Sequence, residues 1–214
     1  MGETAYSTAR EALERALEID PADPLTQFRH AHLVAARGHV REAEREVESA
    51  RLSDPLSASI AEFQAWLAYY RGDNPTGMLR MREAADIDGD PTRLHLFAAY
   101  TLAADGNCAD AASELRPWAL GADTLRMAEA VFARARCGDK ASTEGLRQAL
   151  LTKRLTYSTA MFHLARGERD AFYEWLNRSV DDRFPEALYL AVDPIFSRER
   201  ADPRFEAALR RAGL

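Results

Sequence analysis

The sequence predicts an all-α fold of stacked helix–turn–helix repeats, and three observations carry that prediction. Gly38, Gly72 and Gly106 stand 34 residues apart, and Gly138 and Gly167 continue the series at spacings of 32 and 29. A fixed period of this length marks an architecture in which each repeat is one supersecondary unit. Apolar residues between the markers recur at helical intervals, as Ala12, Leu13, Ala16, Leu17 and Ile19 do, and no stretch sustains the two-residue alternation of a strand. Between the helical stretches sit Asp20-Pro21, Asp54-Pro55 and Asp88-Gly89-Asp90-Pro91. Aspartate caps helices and proline suits a first turn, so each of these junctions is expected to end one helix and start the next.

Taken in order, the elements are a lone helix at 5–19 and helix pairs at 24–53, 58–87, 92–119, 124–151 and 155–180. Each marker glycine separates the two helices of a pair. Seven residues before the glycines stand Ala31, Ala65, Ala99, Val131 and Ala160, small enough for one helix axis to approach its neighbour closely. Five residues after the first three come Ala43, Gly77 and Ala111; twelve after them come Ala50, Ala84 and Trp118, where the third repeat departs from the rule. Pro117 is expected to cut that second helix short, because proline donates no backbone hydrogen bond and clashes with the preceding turn. The first helix lacks the partner with which a repeat helix buries its apolar face, so the chain is expected to carry a special cap there or to continue upstream.

Composition narrows the function classes. The 214 residues are 47% hydrophobic and 29% charged, with 28 basic and 34 acidic side chains and a formal net charge of −6. That balance argues against direct nucleic-acid binding, which calls for a basic patch. No apolar run reaches the roughly 18 residues that span a membrane, and the opening Met1-Gly2-Glu3-Thr4-Ala5-Tyr6 lacks the charged lead and apolar core of a signal peptide. The expectation is a cytoplasmic protein without membrane insertion.

The 34-residue unit, the small-residue positions, the mid-repeat glycine and the closing proline resemble the tetratricopeptide repeat over residues 5–123. The consensus tryptophan and tyrosine of that repeat's first helix are largely absent. The C-terminal run Leu188-Tyr189-Leu190-Ala191-Val192-Asp193-Pro194-Ile195-Phe196, followed by Asp202-Pro203-Arg204-Phe205 and Leu209-Arg210-Arg211-Ala212-Gly213-Leu214, is similar to the ends of tetratricopeptide regions in bacterial winged-helix transcriptional regulators and class III adenylate cyclases. The resemblance implies one right-handed helical solenoid over 1–214, with 184–214 forming short capping helices that use Phe196, Phe205 and Leu209. It also implies a protein- or peptide-interaction module in a bacterial signalling or transcription-regulatory system. The effector activities of those proteins do not carry over, because no effector domain of their kinds is present in this sequence.

In the resembled family the first helices of the repeats line a concave binding face. Six residues before each glycine come His32, Trp66, Tyr100, Phe132 and Met161, and four residues earlier come Phe28, Glu62, Leu96, Ala128 and Tyr157. Tyr69 and Tyr70 extend the cluster around Trp66. Aromatic anchors on a preformed surface commonly carry binding energy. The expected partner-binding face is therefore Phe28, His32, Glu62, Trp66, Tyr69, Tyr70, Leu96, Tyr100, Phe132, Tyr157 and Met161. The competing reading is that this stripe fills the space between adjacent helices. Repeats that grip a partner's C-terminal carboxylate carry Lys, Arg and Asn on this face, whereas here it is mostly apolar.

Other chemistry finds little support in the residues. His30, His32, His39, His95 and His163 form no metal-binding motif. Asp86-Ile87-Asp88-Gly89-Asp90 has its glycine at the wrong step for a calcium loop and Phe97 where the closing glutamate belongs. No phosphate-binding loop or nucleophile elbow is present, so neither an enzyme nor a cofactor is expected. Cys108 and Cys137 are nearly symmetric about a turn expected at 120–123. They are either close enough to bond or two buried, unreactive thiols, and a cytoplasmic setting would keep them reduced. Besides an interaction module, the sequence admits a sensory domain for a small effector, and self-association through the N-terminal edge.

Overall fold

The computed structural model describes residues 2–116, 127–138 and 140–214. Among these residues the structure is helical throughout, with twelve α-helices and no strand: α1 Gly2–Ile19, α2 Pro24–Ala36, α3 Val40–Ser53, α4 Ala58–Tyr70, α5 Asn74–Asp88, α6 Thr92–Ala104, α7 Cys108–Glu114, α8 Met127–Cys137, α9 Lys140–Lys153, α10 Thr156–Arg166, α11 Arg169–Asp181 and α12 Pro203–Ala212. Two 3-10 turns, Pro185–Tyr189 and Pro194–Phe196, lie between α11 and α12. The order follows the repeat read from the sequence, pair by pair. The short α7 ends at Glu114, as a third repeat with a truncated second helix requires. Pro117, Trp118 and the turn expected at 120–123 lie outside the described residues.

The marker glycines end the first helices. Gly38 and Gly72 have φ of 89° and 85°, the left-handed region that glycine enters without a Cβ penalty. At Gly72 the amide donates to the Tyr69 carbonyl at 2.9 Å and the next amide, of Asp73, donates to Ala68 at 2.9 Å. That paired closure satisfies carbonyls that the helix end would leave open. Gly106 and Gly167 repeat it through Asn107 to Leu102 at 2.8 Å and Glu168 to His163 at 3.0 Å.

The Asp-Pro junctions behave differently from expectation. Asp20-Pro21 and Asp54-Pro55 follow the ends of α1 and α3 but do not open the next helices. Instead α2 opens at Pro24 with Asp23 as its cap, whose carboxylate accepts from the Thr26 amide at 2.8 Å. Asp73 caps α5 in the same way, accepting from the Thr76 amide at 3.2 Å. Only at the third junction does the expected aspartate serve, with Asp90 accepting from the Thr92 amide at 2.9 Å. An aspartate caps a helix where its carboxylate lies within reach of the next turn's free amides, and Asp23 and Asp73 hold that place, while α4 starts after Ser57 with no side-chain cap.

The chain divides into two compact units, residues 1–93 with 188–214 and residues 94–187. Within each, helices pack on their chain neighbours, including α2 on α3, α3 on α4 and α4 on α5 in the first, and α8 on α9 and α10 on α11 in the second. This is the nearest-neighbour packing of a helical solenoid. Ala31, Ala65, Ala99, Val131 and Ala160 are all fully buried, and so are Ala43, Ala50, Ala84 and Ala111, so the small residues counted from the glycines form the packing seams. In the first unit the core combines them with Val47, Ile60, Phe63 and Leu67. The tail, which the sequence places at the end of the array, groups with the first five helices, and α12 packs beside α1. The first helix thus gains a second neighbour from the far end of the chain. Within the tail, Phe196 and Phe205 are fully buried with ring centroids 5.5 Å apart, and Asp202 caps α12 through the Arg204 amide at 2.9 Å.

Candidate functional site

In the first unit, α2 and α4 present an aromatic face. Phe28 and His32, one turn apart on α2, meet edge to face with centroids 4.6 Å apart. The His32 ring lies parallel to Phe63 of α4 at 3.6 Å. Farther along α4, Trp66 packs against Tyr69 at 5.9 Å and stacks with Tyr70 at 6.1 Å. Phe28, His32, Glu62, Trp66 and Tyr70 are each half-buried, while Tyr69 is buried. Glu62 is ion-paired with Arg93, which also holds Asp88 at 2.8 Å, so the face carries a neutralised acid at one edge.

Residues of the tail sit on this face. Tyr189 stacks on Tyr70 at 5.6 Å, reaches Phe63 at 6.3 Å and hydrogen-bonds His32 Nδ1 through its hydroxyl. Burial lowers the His32 pKa to about 4, so near pH 7 the ring is neutral and can accept the tyrosine proton at Nδ1 in its Nε2–H tautomer. Beside it the Tyr69 hydroxyl donates to Asp193 Oδ1 at 3.2 Å. Asp193 is 6% exposed and also receives the Ile195 amide at 2.9 Å.

The remaining expected site residues belong to the second unit, and all lie in its interior. Leu96, Tyr100, Phe132, Tyr157 and Met161 are each 5% exposed or less. Tyr100 meets Phe132 edge to face at 5.3 Å, and Tyr157 stacks on Phe184 at 5.6 Å. Here the stripe fills space between helices, the alternative that the helical spacing left open.

Sequence reasoning missed Phe63, Tyr189 and Asp193 as parts of the first face. Phe63 falls one residue out of register with the row counted from the glycines. Tyr189 and Asp193 approach α2 and α4 only through contacts 157 and 124 residues apart in sequence, and no local pattern encodes such a pairing.

The second unit contains a cleft of about 310 Å³ whose lining includes Leu115, Ala133 and Leu146 together with Arg116, Arg134 and Cys137. Arg134 donates to the Leu115 carbonyl at 3.4 Å, and burial lowers its pKa from the ordinary arginine value. Cys137 is bonded to Cys108, with Cα atoms 5.1 Å apart. Of the two readings of these cysteines, the structure takes the bonded one, because the start of α7 and the end of α8 meet. Three of the histidines bind a single carboxylate each, His30 to Glu46 at 2.8 Å, His95 to Glu114 at 2.7 Å and His163 to Glu168 at 2.6 Å. The first two pairs tie successive helices together.

The tetratricopeptide repeat family model matches residues 1–67, from α1 through most of α4. That stretch holds Phe28, His32, Phe63 and Trp66, and the match suggests a protein–protein interaction module. No curated protein matches the chain in sequence. No helix among the described residues is long and apolar enough to cross a membrane.

Proposed function

We propose that the chain is a non-catalytic interaction module that receives a segment of a protein partner on the α2–α4 face of its first unit. The observation that carries this reading is the row of half-buried rings, Phe28, His32, Trp66 and Tyr70, three of which pack against the core of the first unit. Preformed aromatic surface binds with little ordering cost, and a few such anchors supply most of the affinity of an interface. The similarity of the C-terminal run to bacterial regulators supports a place in a cytoplasmic signalling or transcription-regulatory system. The net charge of −6 supports a partner other than nucleic acid.

The test is partner capture by the intact chain and by a Trp66→Ala/Tyr70→Ala variant. The variant should retain wild-type helicity and lose the captured partner, while Leu79→Ala, at an exposed position, should keep it. Equal capture by all three proteins would overturn the assignment of the face.

A second reading, a sensory domain for a small effector, rests on the cleft beside Cys137. Its apolar wall and two arginines suit a compact apolar carboxylate, and about 310 Å³ is enough for a small ligand. A carboxylate that raises the melting temperature of both the wild type and the Trp66→Ala/Tyr70→Ala variant would favour this reading.

A further inference from the structure

We propose that the cleft of the second unit binds a compact monocarboxylate with an apolar body, and that the Cys108–Cys137 bond, which joins two of the helices that wall the cleft, holds it in its binding form. The inference rests on the effector reading of that cleft and adds its regulation by oxidation and reduction.

Three helices build the cleft. Leu115 and Arg116 at the end of α7 form one wall, Arg134 and Cys137 of α8 form another, and Leu146 of α9 adds to the apolar lining. Among the described residues the lining carries two guanidinium groups and no carboxylate, so it matches a negative charge and not a positive one. Arg134 is half-buried, and that burial already lowers its pKa. A guanidinium withdrawn from water gains most from an anion that offers it two oxygens. The apolar side chains take up a body of the size that about 310 Å³ admits.

The wall given by Leu115 and Arg116 depends on where α7 lies, and α7 is lightly held. It is seven residues long and buries Ala111 within it and Leu115 at its end. Glu114 pairs with His95 of α6 at 2.7 Å, and the Leu115 carbonyl accepts from Arg134 at 3.4 Å, near the limit of a hydrogen bond. The covalent tie to α8 is at the other end of α7, where the Cα atoms of Cys108 and Cys137 are 5.1 Å apart. Both cysteines are half-buried and Cys137 lines the cleft, so a dithiol can reach the bond. Exchange with a dithiol transfers two electrons and two protons to the bond, leaves two cysteine thiols and releases the reductant as its own disulfide. Unbonded sulfurs sit farther apart than bonded ones, so reduction frees the start of α7 from α8. Leu115 and Arg116 then lose their fixed place beside Arg134.

The experiment titrates the full-length chain, oxidised and after treatment with dithiothreitol, with benzoate, 3-methylbutanoate and octanoate by isothermal titration calorimetry. Benzamide is the uncharged control. At least one carboxylate should bind the oxidised chain and benzamide should not. Reduction should weaken that binding about tenfold or more while the helical circular dichroism is kept. Cys108→Ser/Cys137→Ser should bind as the reduced chain does, with or without dithiothreitol. Arg134→Gln should lose about tenfold in the oxidised chain; should it fail to fold, Arg116→Gln, at an exposed position, is read in the same way. Equal binding by the oxidised and reduced chains would overturn the regulation and leave the effector reading standing. Binding of none of the carboxylates, binding of benzamide as tight as that of benzoate, or undiminished binding by the arginine variants would overturn both. Reduction that also abolishes the helical signal would overturn the regulation, because the bond would then hold the fold rather than the cleft.

Discussion

The His32 ring, stacked on Phe63 and edged by Phe28, is held largely out of water, and this burial lowers its pKa to about 4 from 6.5. A histidine depressed in the folded state takes up its proton first in the unfolded chain. Its contribution to stability is therefore complete above pH 6.5, falls as pH drops from about 6.5 toward 4, and changes no further below that. A shift of this size corresponds to at most about 3 kcal/mol. Urea denaturation from pH 7.5 to 4 should show that loss in the wild type and a shallower one in His32→Phe. Identical slopes would remove His32 as the cause. Single residues also mark the limit of sequence reasoning. His32 and Trp66 stand in the row six residues before a glycine, and so do Tyr100 and Phe132. The first two remain half-buried and the others are enclosed. Helical spacing identifies a shared face, but whether other side chains cover that face depends on tertiary packing.

At the scale of elements, much was legible because the signals are local. The glycines at 34-residue spacing mark helix ends, since φ near 85–89° at Gly38 and Gly72 is a backbone requirement carried by one residue type. The alanines seven residues earlier mark the seams, since close helix approach requires small side chains. The Asp-Pro junctions were only half legible, because capping geometry reaches two or three residues and Asp23 stands as close to the next helix as Asp20 does to the last. The Cys108–Cys137 bond joining α7 to α8 was legible as an option, since the symmetry of two positions about a turn does not fix which way their side chains face. Closing a loop with a separation of 29 residues restricts the unfolded chain by about 3–4 kcal/mol in the chain-entropy account. Protein purified under oxidising conditions should show no free thiol on titration, and Cys108→Ser/Cys137→Ser should melt at a lower temperature. Two titratable thiols in the native chain, or an unchanged melting temperature, would contradict the bonded arrangement. A reducing cytoplasm would hold the pair open, so the same titration on protein taken directly from cells also tests the compartment.

For the whole molecule, the division into two units assigns different roles to one sequence pattern. Residues 94–187 use their aromatic stripe as interior, while residues 1–93 with 188–214 leave theirs on a face that meets Tyr189 and Asp193. The tail was recognisable as a closing segment through its resemblance to the ends of tetratricopeptide regions, but its destination was not, because the decisive contacts join positions more than 120 residues apart. The lone first helix was a puzzle in the sequence for the same reason. The neighbour it gains, α12, lies at the other end of the chain. The central claim is that the aromatic α2–α4 face is where the tail rests, with Tyr189 seated against His32, Phe63 and Tyr70. The most direct measurement replaces Tyr189 in the full-length chain with photoreactive p-benzoylphenylalanine and maps the crosslinks by peptide mass spectrometry. The account predicts intramolecular crosslinks to the peptides carrying His32, Phe63 and Tyr70. Crosslinks confined to residues 94–187, or formed only between two chains, would contradict it.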